Sequence, residues 1–468
     1  MFDFLHSTNS RKRIIIFGNL YLLIHFIIAI VYFKERIFLD GAYYFFHIAQ
    51  GEMFHVEHQR FILIVSQLLA VTGINLHLPL NTVLLLNSMN PVIYLWLFFI
   101  LSIFWLRHEG ISLALLLSSV CGIYFIWFCP MYEVWYGSVL LIFFAGLLER
   151  KFYNTIIQQV IFGAILVTLL FSYPLIFFGV LIFSASHFLR EKKIPGRVIG
   201  IFLLSFIGWA VFKYFFISQY ETGKIEYPAS QVSETILRNF SGIQDIKDFF
   251  IFLFSIYPEE LIAMIVTVFF LFLQREKLQA LLLTGSVLVF ILIINITQEH
   301  PWKHTNYYER MYLLLIPLTT VPFMQRVYFS VKQKWIIEAA VLVIVAIRMN
   351  QITRHADVYA HHVEMIYSLI EKSRSIPGSK FMVSLAAHPE LASLDEWSLP
   401  METLIYSSLK SNKHSATLSW KADIENPEIA GKLDDHKFRL RLDEIFPDYW
   451  LNQNYFHLQN GPYRELIW

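Results

Sequence analysis

The chain has 468 residues, of which 56% are hydrophobic and 16% are charged, and its mean hydropathy is +0.52. This composition excludes an ordinary soluble domain, because the apolar residues fall in long uncharged runs. The formal net charge of +1 gives no basic excess for binding nucleic acid, and two cysteines do not provide a disulfide framework. The composition predicts a polytopic membrane protein.

The first apolar run, residues 14–33, follows Arg11-Lys12-Arg13 and is not followed by a small-residue cleavage site. We therefore expect a retained first span and not a removed signal peptide. Residues 61–72 are too few to cross about 30 Å of hydrocarbon, which favours a helix that lies in the interface or enters it partway. Further windows long enough to cross give about eleven spans in total: 81–106, 110–128, 134–149, 154–171, 174–189, 197–217, 258–274, 278–298, 310–325 and 334–350.

Basic residues indicate the orientation of these spans. With 61–72 left out, the alternation of spans places the basic turns near Arg107, Arg150, Arg190, Arg275 and Arg326 on one side, together with Arg11-Lys12-Arg13. Positive charge marks the cytoplasmic side of membrane proteins. The outer segments are then predicted to be 34–80, 218–257, 298–309 and 351–468.

The tail differs in composition from the rest of the chain. Residues 381–385 and 417–420 resemble short strands, and residues 360–373 and 400–409 resemble helices. The predicted architecture is an all-α transmembrane domain over residues 1–350, followed by a small mixed α/β domain over 351–468 outside the membrane.

Polar side chains are concentrated in the predicted outer segments. Asp40 follows the first span and is itself followed by Tyr43 and Tyr44, and Glu133 lies in a second outer loop. The outer segment before the span at 310–325 adds a basic and aromatic group: Lys303, His304, Tyr308 and Arg310. One carboxylate can remove a proton from a hydroxyl, while cations stabilise a departing phosphate, so this set fits transfer from a lipid phosphate to a hydroxyl.

The arrangement resembles the GT-C superfamily of membrane glycosyltransferases, which use polyprenyl-phosphate-linked sugars. The residues that carry the resemblance are Leu39-Asp40-Gly41, Glu133, and the run Glu309-Arg310-Met311-Tyr312-Leu313-Leu314-Leu315-Ile316-Pro317, which is similar to the start of a late span in that family. The topology extends the resemblance over roughly residues 11–350.

The resemblance implies a role for each candidate. Asp40 would be the catalytic base, Tyr43, Tyr44 and Glu133 would shape the acceptor side, and Lys303, His304 and Arg310 would hold the lipid phosphate, with Tyr308 as a further substrate-binding residue. Asp40 lacks an Asp-x-Asp companion, and the tail lacks a Trp-Trp-Asp signature. No cofactor is therefore expected to be required, although this pattern does not exclude a divalent metal.

Each candidate residue also has a structural interpretation. Asp40 could cap a helix, Glu133 could be a solvated loop residue, and the basic group of the late loop could contact lipid headgroups. His55 and His58, with His47, have an arrangement that also suggests a metal site, but two histidines three residues apart do not complete one.

The function implied by the resemblance is inverting transfer of a sugar from a polyprenyl-phosphate carrier to a hydroxyl of an envelope glycan, lipid or protein. The expected location is a bacterial inner membrane with the active site and tail in the periplasm, and no nucleic-acid partner is expected. A transporter or flippase of lipid-linked sugars, and a non-catalytic scaffold of envelope assembly, remain as alternatives.

Overall fold

The computed structural model describes residues 10–123, 126–128, 132–191, 194–219, 221–223, 241–297, 309, 312–394 and 397–466. These residues are mostly helical, and the strands among them lie in the tail. The helices before the tail are α1 (Ser10–Val31), α2 (Asp40–Gly51), α3 (Ile62–Asn75), α4 (Leu80–Ile100), α5 (Glu109–Ser118), α6 (Tyr132–Glu149), α7 (Ile156–Leu170), α8 (Pro174–Arg190), α9 (Gly196–Phe216), α10 (Ser241–Ile256), α11 (Pro258–Leu273), α12 (Lys277–Thr297) and α13 (Leu315–Phe323). Helix α14 (Lys334–Ser373) then leads into the tail.

Several helices are long and apolar enough to cross a membrane. Within the described residues these are α1, α4 with its π-helical extension to Trp105, α9, α12 and α14, which makes five. A sixth span is possible if residues 250–256 and α11, which meet at 104°, cross together. The prediction of membrane-spanning helices is therefore confirmed.

The predicted number of eleven spans is not confirmed. The window 110–128 does not form one helix, since α5 ends at Ser118 and only a short 3-10 turn, Ile126–Phe128, follows. Helices α7 and α8 have 15 and 17 residues, and α5 has ten. A helix rises about 1.5 Å per residue, so these lengths fall short of a straight crossing of about 30 Å.

Local sequence signals explain where helices begin and end. Helix α7 ends at Leu170, and α8 starts at Pro174, as the Ser172-Tyr173-Pro174 break predicts. Helix α11 starts at Pro258, whose fixed φ suits the first helical turn. The segment predicted to be too short to span forms α3, which has 14 residues.

Helix α1 packs against α4 and α14 with one of its faces. The Gly18 backbone lies so close to the Phe99 ring of α4 that a Cβ at this position would come within 2.2 Å of the ring. Ser88 of α4 donates to the Ala29 carbonyl at 2.6 Å, and Arg13 forms a buried ion pair with Glu338 of α14 at 2.6 Å. Helix α1 therefore joins α4 and α14 into one packed unit.

Helix α14 continues without a break for 40 residues, so the predicted domain boundary at residue 350 lies inside it. Beyond it, strand β1 (Lys380–Val383) lies between β2 (Thr417–Trp420) and β5 (Arg464–Glu465), and both pairs are parallel. Strands β3 (Lys437–Arg441) and β4 (Glu444–Pro447) form an antiparallel hairpin. Helix α15 (Leu399–Ser408) packs on β2 and completes the mixed α/β tail that the sequence predicts.

Candidate functional site

Asp40 is the first residue of α2. A carboxylate in the first turn of a helix interacts favourably with the positive end of the helix dipole. The N-cap position falls on Leu39, one residue earlier than the capping interpretation of Asp40 requires. Leu39 has φ 52° and ψ −116°, a conformation that leucine rarely adopts. Such strained residues persist only where the surrounding structure holds them.

The tail holds the start of α2. The Leu39 N–H donates to Oε1 of Glu402, which lies on α15, at 3.1 Å. Oε2 of the same carboxylate lies 2.6 Å from Nε2 of His362 on α14, and Glu402 is only 1% exposed. The Phe38 ring packs edge-on against His362. The position of Asp40 is therefore set by contacts with the tail and not by the membrane helices alone.

Glu133 lies in the first turn of α6 and is 3% exposed. Its Oε1 accepts hydrogen bonds from Tyr44 Oη at 3.1 Å and from Arg60 Nη1 at 2.6 Å. Arg60 also stacks over the Tyr173 ring and lies near Glu221. The interpretation of Glu133 as a solvated loop residue is wrong, because the carboxylate is buried in an ion pair that fixes Tyr44.

Burial raises the pKa of the Tyr44 phenol well above its ordinary value, and the nearby carboxylates of Glu133, Glu57 and Asp40 raise it further. Tyr44 therefore remains a protonated hydrogen-bond donor. Asp40 and Tyr44 are four residues apart in α2, so they lie on the same face of the helix.

Tyr43 belongs to a second group of polar residues beside α2. Its hydroxyl donates to Glu57 Oε1, and the Arg441 guanidinium of β3 lies 4.2 Å from the centre of its ring. Burial would raise the pKa of Glu57, but hydrogen bonds from His55 and Tyr43 outweigh it and lower that pKa to about 2. Glu57 is consequently ionised at neutral pH.

The histidines considered as metal ligands pack against each other. The rings of His47 and His55 are stacked with their centres 4.3 Å apart, and His58 Nδ1 lies 3.0 Å from Ser218 Oγ. Burial, together with His55 and Arg441, lowers the pKa of His47 to about 3. In the part of the chain that the structure describes, no three His, Cys, Asp or Glu side chains converge on a position for a metal ion.

The predicted phosphate-binding residues of the late loop, Lys303, His304 and Arg310, lie outside the described residues, as does the further substrate-binding candidate Tyr308. Glu309 between them is described and is 2% exposed. Its carboxylate accepts hydrogen bonds from the Ile126 backbone N–H at 2.8 Å and from the Tyr257 hydroxyl. This glutamate therefore joins the late loop to the turn after α5 and to the start of α11.

The structure also identifies residues that sequence reasoning did not select. Arg60 follows Asp40 by 20 residues in the sequence, and nothing in its spacing indicates a partner in α6. Trp397, Glu402 and Arg441 come from the tail, more than 350 residues after Asp40. No local pattern could have found them, because only the packing of the tail on α2 brings them there.

Comparisons of the chain with protein family models, with curated proteins and with solved structures found no match. The chemistry of the site therefore follows from its own residues. The site combines the Asp40 carboxylate at the start of α2 with the protonated phenols of Tyr43 and Tyr44. The ionised carboxylate of Glu57 and the buried guanidinium of Arg60 complete it. Such a set can accept a proton from a hydroxyl and hold the molecule that carries it.

Proposed function

We propose that this protein is a membrane glycosyltransferase that moves a sugar from a polyprenyl-phosphate carrier to a hydroxyl acceptor. The observation that carries the proposal is the placement of Asp40 at the start of a helix whose N-cap residue, Leu39, donates its backbone N–H to a buried glutamate of the tail. A catalytic carboxylate needs to be held within a fraction of an ångström of its productive position, and this contact supplies the restraint.

In the proposed reaction, the Asp40 carboxylate takes the proton of the acceptor hydroxyl. The acceptor oxygen then forms a bond to the anomeric carbon, while the bond from that carbon to the phosphate oxygen breaks. The electron pair of the broken bond leaves with the carrier phosphate, and the configuration at the anomeric carbon is inverted. Lys303, His304 and Arg310 stabilise the phosphate, and Tyr308 completes this side of the site.

Tyr43, Tyr44 and Glu133 shape the acceptor side. Tyr44 donates a hydrogen bond and is oriented by Glu133, which is itself held by Arg60. Glu133 therefore acts through Tyr44 and does not need to touch the acceptor. The proposal requires no metal, because phosphate is a leaving group that cations can stabilise without protonation.

The proposed setting is a bacterial inner membrane, with α2 and the tail on the periplasmic side. The basic turns near Arg107, Arg150 and Arg326 support this orientation through the positive-inside rule. The acceptor would be a hydroxyl of an envelope glycan, lipid or protein, and the tail of the carrier would lie in the bilayer.

One observation favours the transporter alternative. The helix pair 250–256 and α11 is broken by 104°, and next to the break Glu259 pairs with Arg348 of α14 at 2.6 Å. Broken helices and ionisable groups within spans are common in transporters. Transport of a lipid-linked sugar would use this region instead of Asp40.

The experiment is sugar transfer from a panel of polyprenyl-phosphate sugars by the purified full-length protein, with and without a chelator. We expect Asp40→Asn to lower the transfer rate by at least 100-fold while the protein stays folded, since a general base contributes about 10²–10⁴ in rate. Glu52→Gln is the matched control, because Glu52 is an exposed acid at the other end of α2. Full activity of Asp40→Asn refutes the role of Asp40 as base. If wild type and Asp40→Asn both bind the carrier and neither transfers sugar, the transporter alternative is favoured.

A further inference from the structure

A cluster of aromatic and polar side chains lies where the tail meets α2. It consists of Tyr43 and His47 of α2, His55 and Glu57 of the following loop, and Trp397 and Arg441 of the tail, and we call it the α2–tail cluster. Trp397 lies with its ring centre 6.2 Å from that of Tyr43, and Arg441 covers the Tyr43 ring at 4.2 Å. The membrane part and the tail therefore contribute to one group of residues.

The cluster is accessible from outside the protein. The side chains of His55, Glu57 and Arg441 are each about one quarter exposed, at 28%, 24% and 26%. Arg441 is held by Glu444 of β4 through two hydrogen bonds of 2.9 Å. The Arg441 side chain is therefore already ordered, so binding a ligand costs less side-chain entropy than it would at a mobile arginine.

Nε2 of His47 is buried and has no hydrogen-bond partner within the described residues. Buried polar atoms are nearly always hydrogen-bonded in native proteins, so an atom of this kind needs an explanation. The His55 ring stacks on the imidazole, and the Tyr43 ring packs edge-on against it. Because Nε2 is closed to solvent, the groups of the cluster that can face a ligand are the exposed side chains of His55, Glu57 and Arg441.

The charge of the cluster restricts the ligand. Glu57 of the cluster and the neighbouring Glu444, which pairs with Arg441, carry two negative charges against the single positive charge of Arg441, and a pKa of about 3 keeps His47 neutral at pH 7. An anionic group would meet a net negative edge. Flat aromatic faces beside carboxylate and guanidinium groups are suited to a molecule with apolar C–H faces and many hydroxyls.

We propose that the α2–tail cluster binds a neutral carbohydrate, stacked on the half-buried Trp397 and hydrogen-bonded to the exposed edges of His55, Glu57 and Arg441. This inference rests on the proposed function, because the bound carbohydrate is the acceptor whose hydroxyl is presented to Asp40. Trp397 and Arg441 then make the tail a determinant of acceptor specificity. The acceptor class narrows accordingly from any hydroxyl compound to a neutral glycan.

The test is binding of soluble oligosaccharides to the full-length protein in nanodiscs of neutral lipid, measured by saturation-transfer NMR and calorimetry. The probes are neutral gluco-, galacto- and manno-configured oligosaccharides and the corresponding uronic acid oligomers. We expect at least one neutral series to bind, and we expect Arg441→Gln and Trp397→Ala to weaken that binding at least tenfold. Arg374→Gln is the matched control, because Arg374 is a tail arginine that forms an exposed ion pair with Glu371.

The inference is overturned if no neutral series binds, if the uronic acid series binds more tightly, or if Arg441→Gln and Trp397→Ala bind as wild type does. Thermal unfolding checks that each variant is folded, and His55→Gln, which removes the imidazole but keeps an amide, replaces Trp397→Ala if that variant is unstable. If the protein binds the neutral oligosaccharide but transfers no sugar, the proposed function is refuted and the proposed carbohydrate site is supported. If the protein transfers sugar and Arg441→Gln has the same acceptor KM as wild type, the proposed function is supported and the proposed carbohydrate site is refuted.

Discussion

At the scale of single residues, the outer face uses burial to fix protonation states. Tyr43 and Tyr44 both have pKa values raised by burial, and Glu57 has a pKa lowered to about 2 by its hydrogen bonds. The phenols are therefore donors and this carboxylate is an acceptor across the physiological pH range. Their roles in binding do not depend on a change of protonation.

His47 gives a prediction about pH. Its pKa in the folded state is about 3, below the ordinary value of 6.5, because the buried ring resists charging. Between these two values the unfolded state takes up a proton that the folded state does not, so the folded state loses stability as pH falls from 6.5 towards 3. One such group changes the free energy of unfolding by at most about 1.4 kcal/mol per pH unit.

We expect His47→Gln to flatten the dependence of unfolding on pH between 4 and 6.5, measured by thermal or denaturant unfolding of the purified protein. His361→Gln is the control, because His361 is an exposed residue on α14. An unchanged slope in His47→Gln would mean that other groups cause the acid sensitivity. Ionised Glu57 also makes the folded state less stable as pH falls, but only at pH values below its ordinary pKa of about 4.5.

At the scale of elements, α6 carries a glutamate at each end, and the two differ in burial. Glu133 pairs with Arg60, and both side chains are less than 10% exposed. Glu149 pairs with Arg190 at a similar distance, but these side chains are 32% and 18% exposed. The two ends of one helix therefore provide a matched comparison of a buried pair with a partly exposed pair.

We expect Glu133→Gln to destabilise the folded protein by about 3 kcal/mol, because it leaves a buried guanidinium with only the more distant Glu221 for compensation. Glu149→Gln should cost no more than about 1 kcal/mol, as a pair near solvent contributes little. Denaturant unfolding of each variant in detergent micelles measures these two losses of stability. Equal losses in the two variants would show that the burial of Glu133 does not matter for stability.

At the scale of the whole molecule, the tail and the membrane part share α2. Glu402 of the tail holds the first turn through Leu39, and Asn452 donates to the Ala49 carbonyl in the last turn at 2.8 Å. Helix α14, about 60 Å long at 1.5 Å per residue, links the Arg13 ion pair at one end to the His362 contact with Glu402 near the other. The tail is therefore part of the site.

We expect Glu402→Ala to speed amide hydrogen exchange in the first turn of α2, because the Leu39 N–H loses its acceptor and His362 loses its partner. An unsatisfied buried donor costs about 1–3 kcal/mol, enough to raise local opening at least fivefold. Exchange of a peptide covering residues 36–46 is read by mass spectrometry. Glu390→Ala, at a half-exposed glutamate of the tail, should leave this peptide unchanged.

Protection of residues 36–46 that is the same in Glu402→Ala and wild type would contradict the proposed dependence of Asp40 on the tail. The position of Asp40 would then be set by the packing of α2 against membrane helices such as α3 and α4. In that case, the strained backbone at Leu39 would have to be held by the loop before it, for example through the Ile37 N–H and the Lys34 carbonyl.

The sequence by itself determined the membrane class, most helix positions and the mixed tail. Long uncharged runs have to be buried in lipid or in other helices, and proline and serine breaks such as Ser172-Tyr173-Pro174 interrupt helices through local backbone geometry. It also placed Asp40 at the end of the first apolar run. These features depend on neighbouring residues, which a single chain displays directly.

Only the tertiary structure decided how many helices are long enough to span, and what surrounds Asp40. The window 110–128 is uncharged throughout, yet α5 stops at Ser118, since composition does not determine where a buried helix ends. The partners Arg60, Glu402 and Arg441 come from segments far apart in the chain and meet only through packing. Contacts between distant segments depend on the whole fold, so no local pattern in the sequence could reveal them.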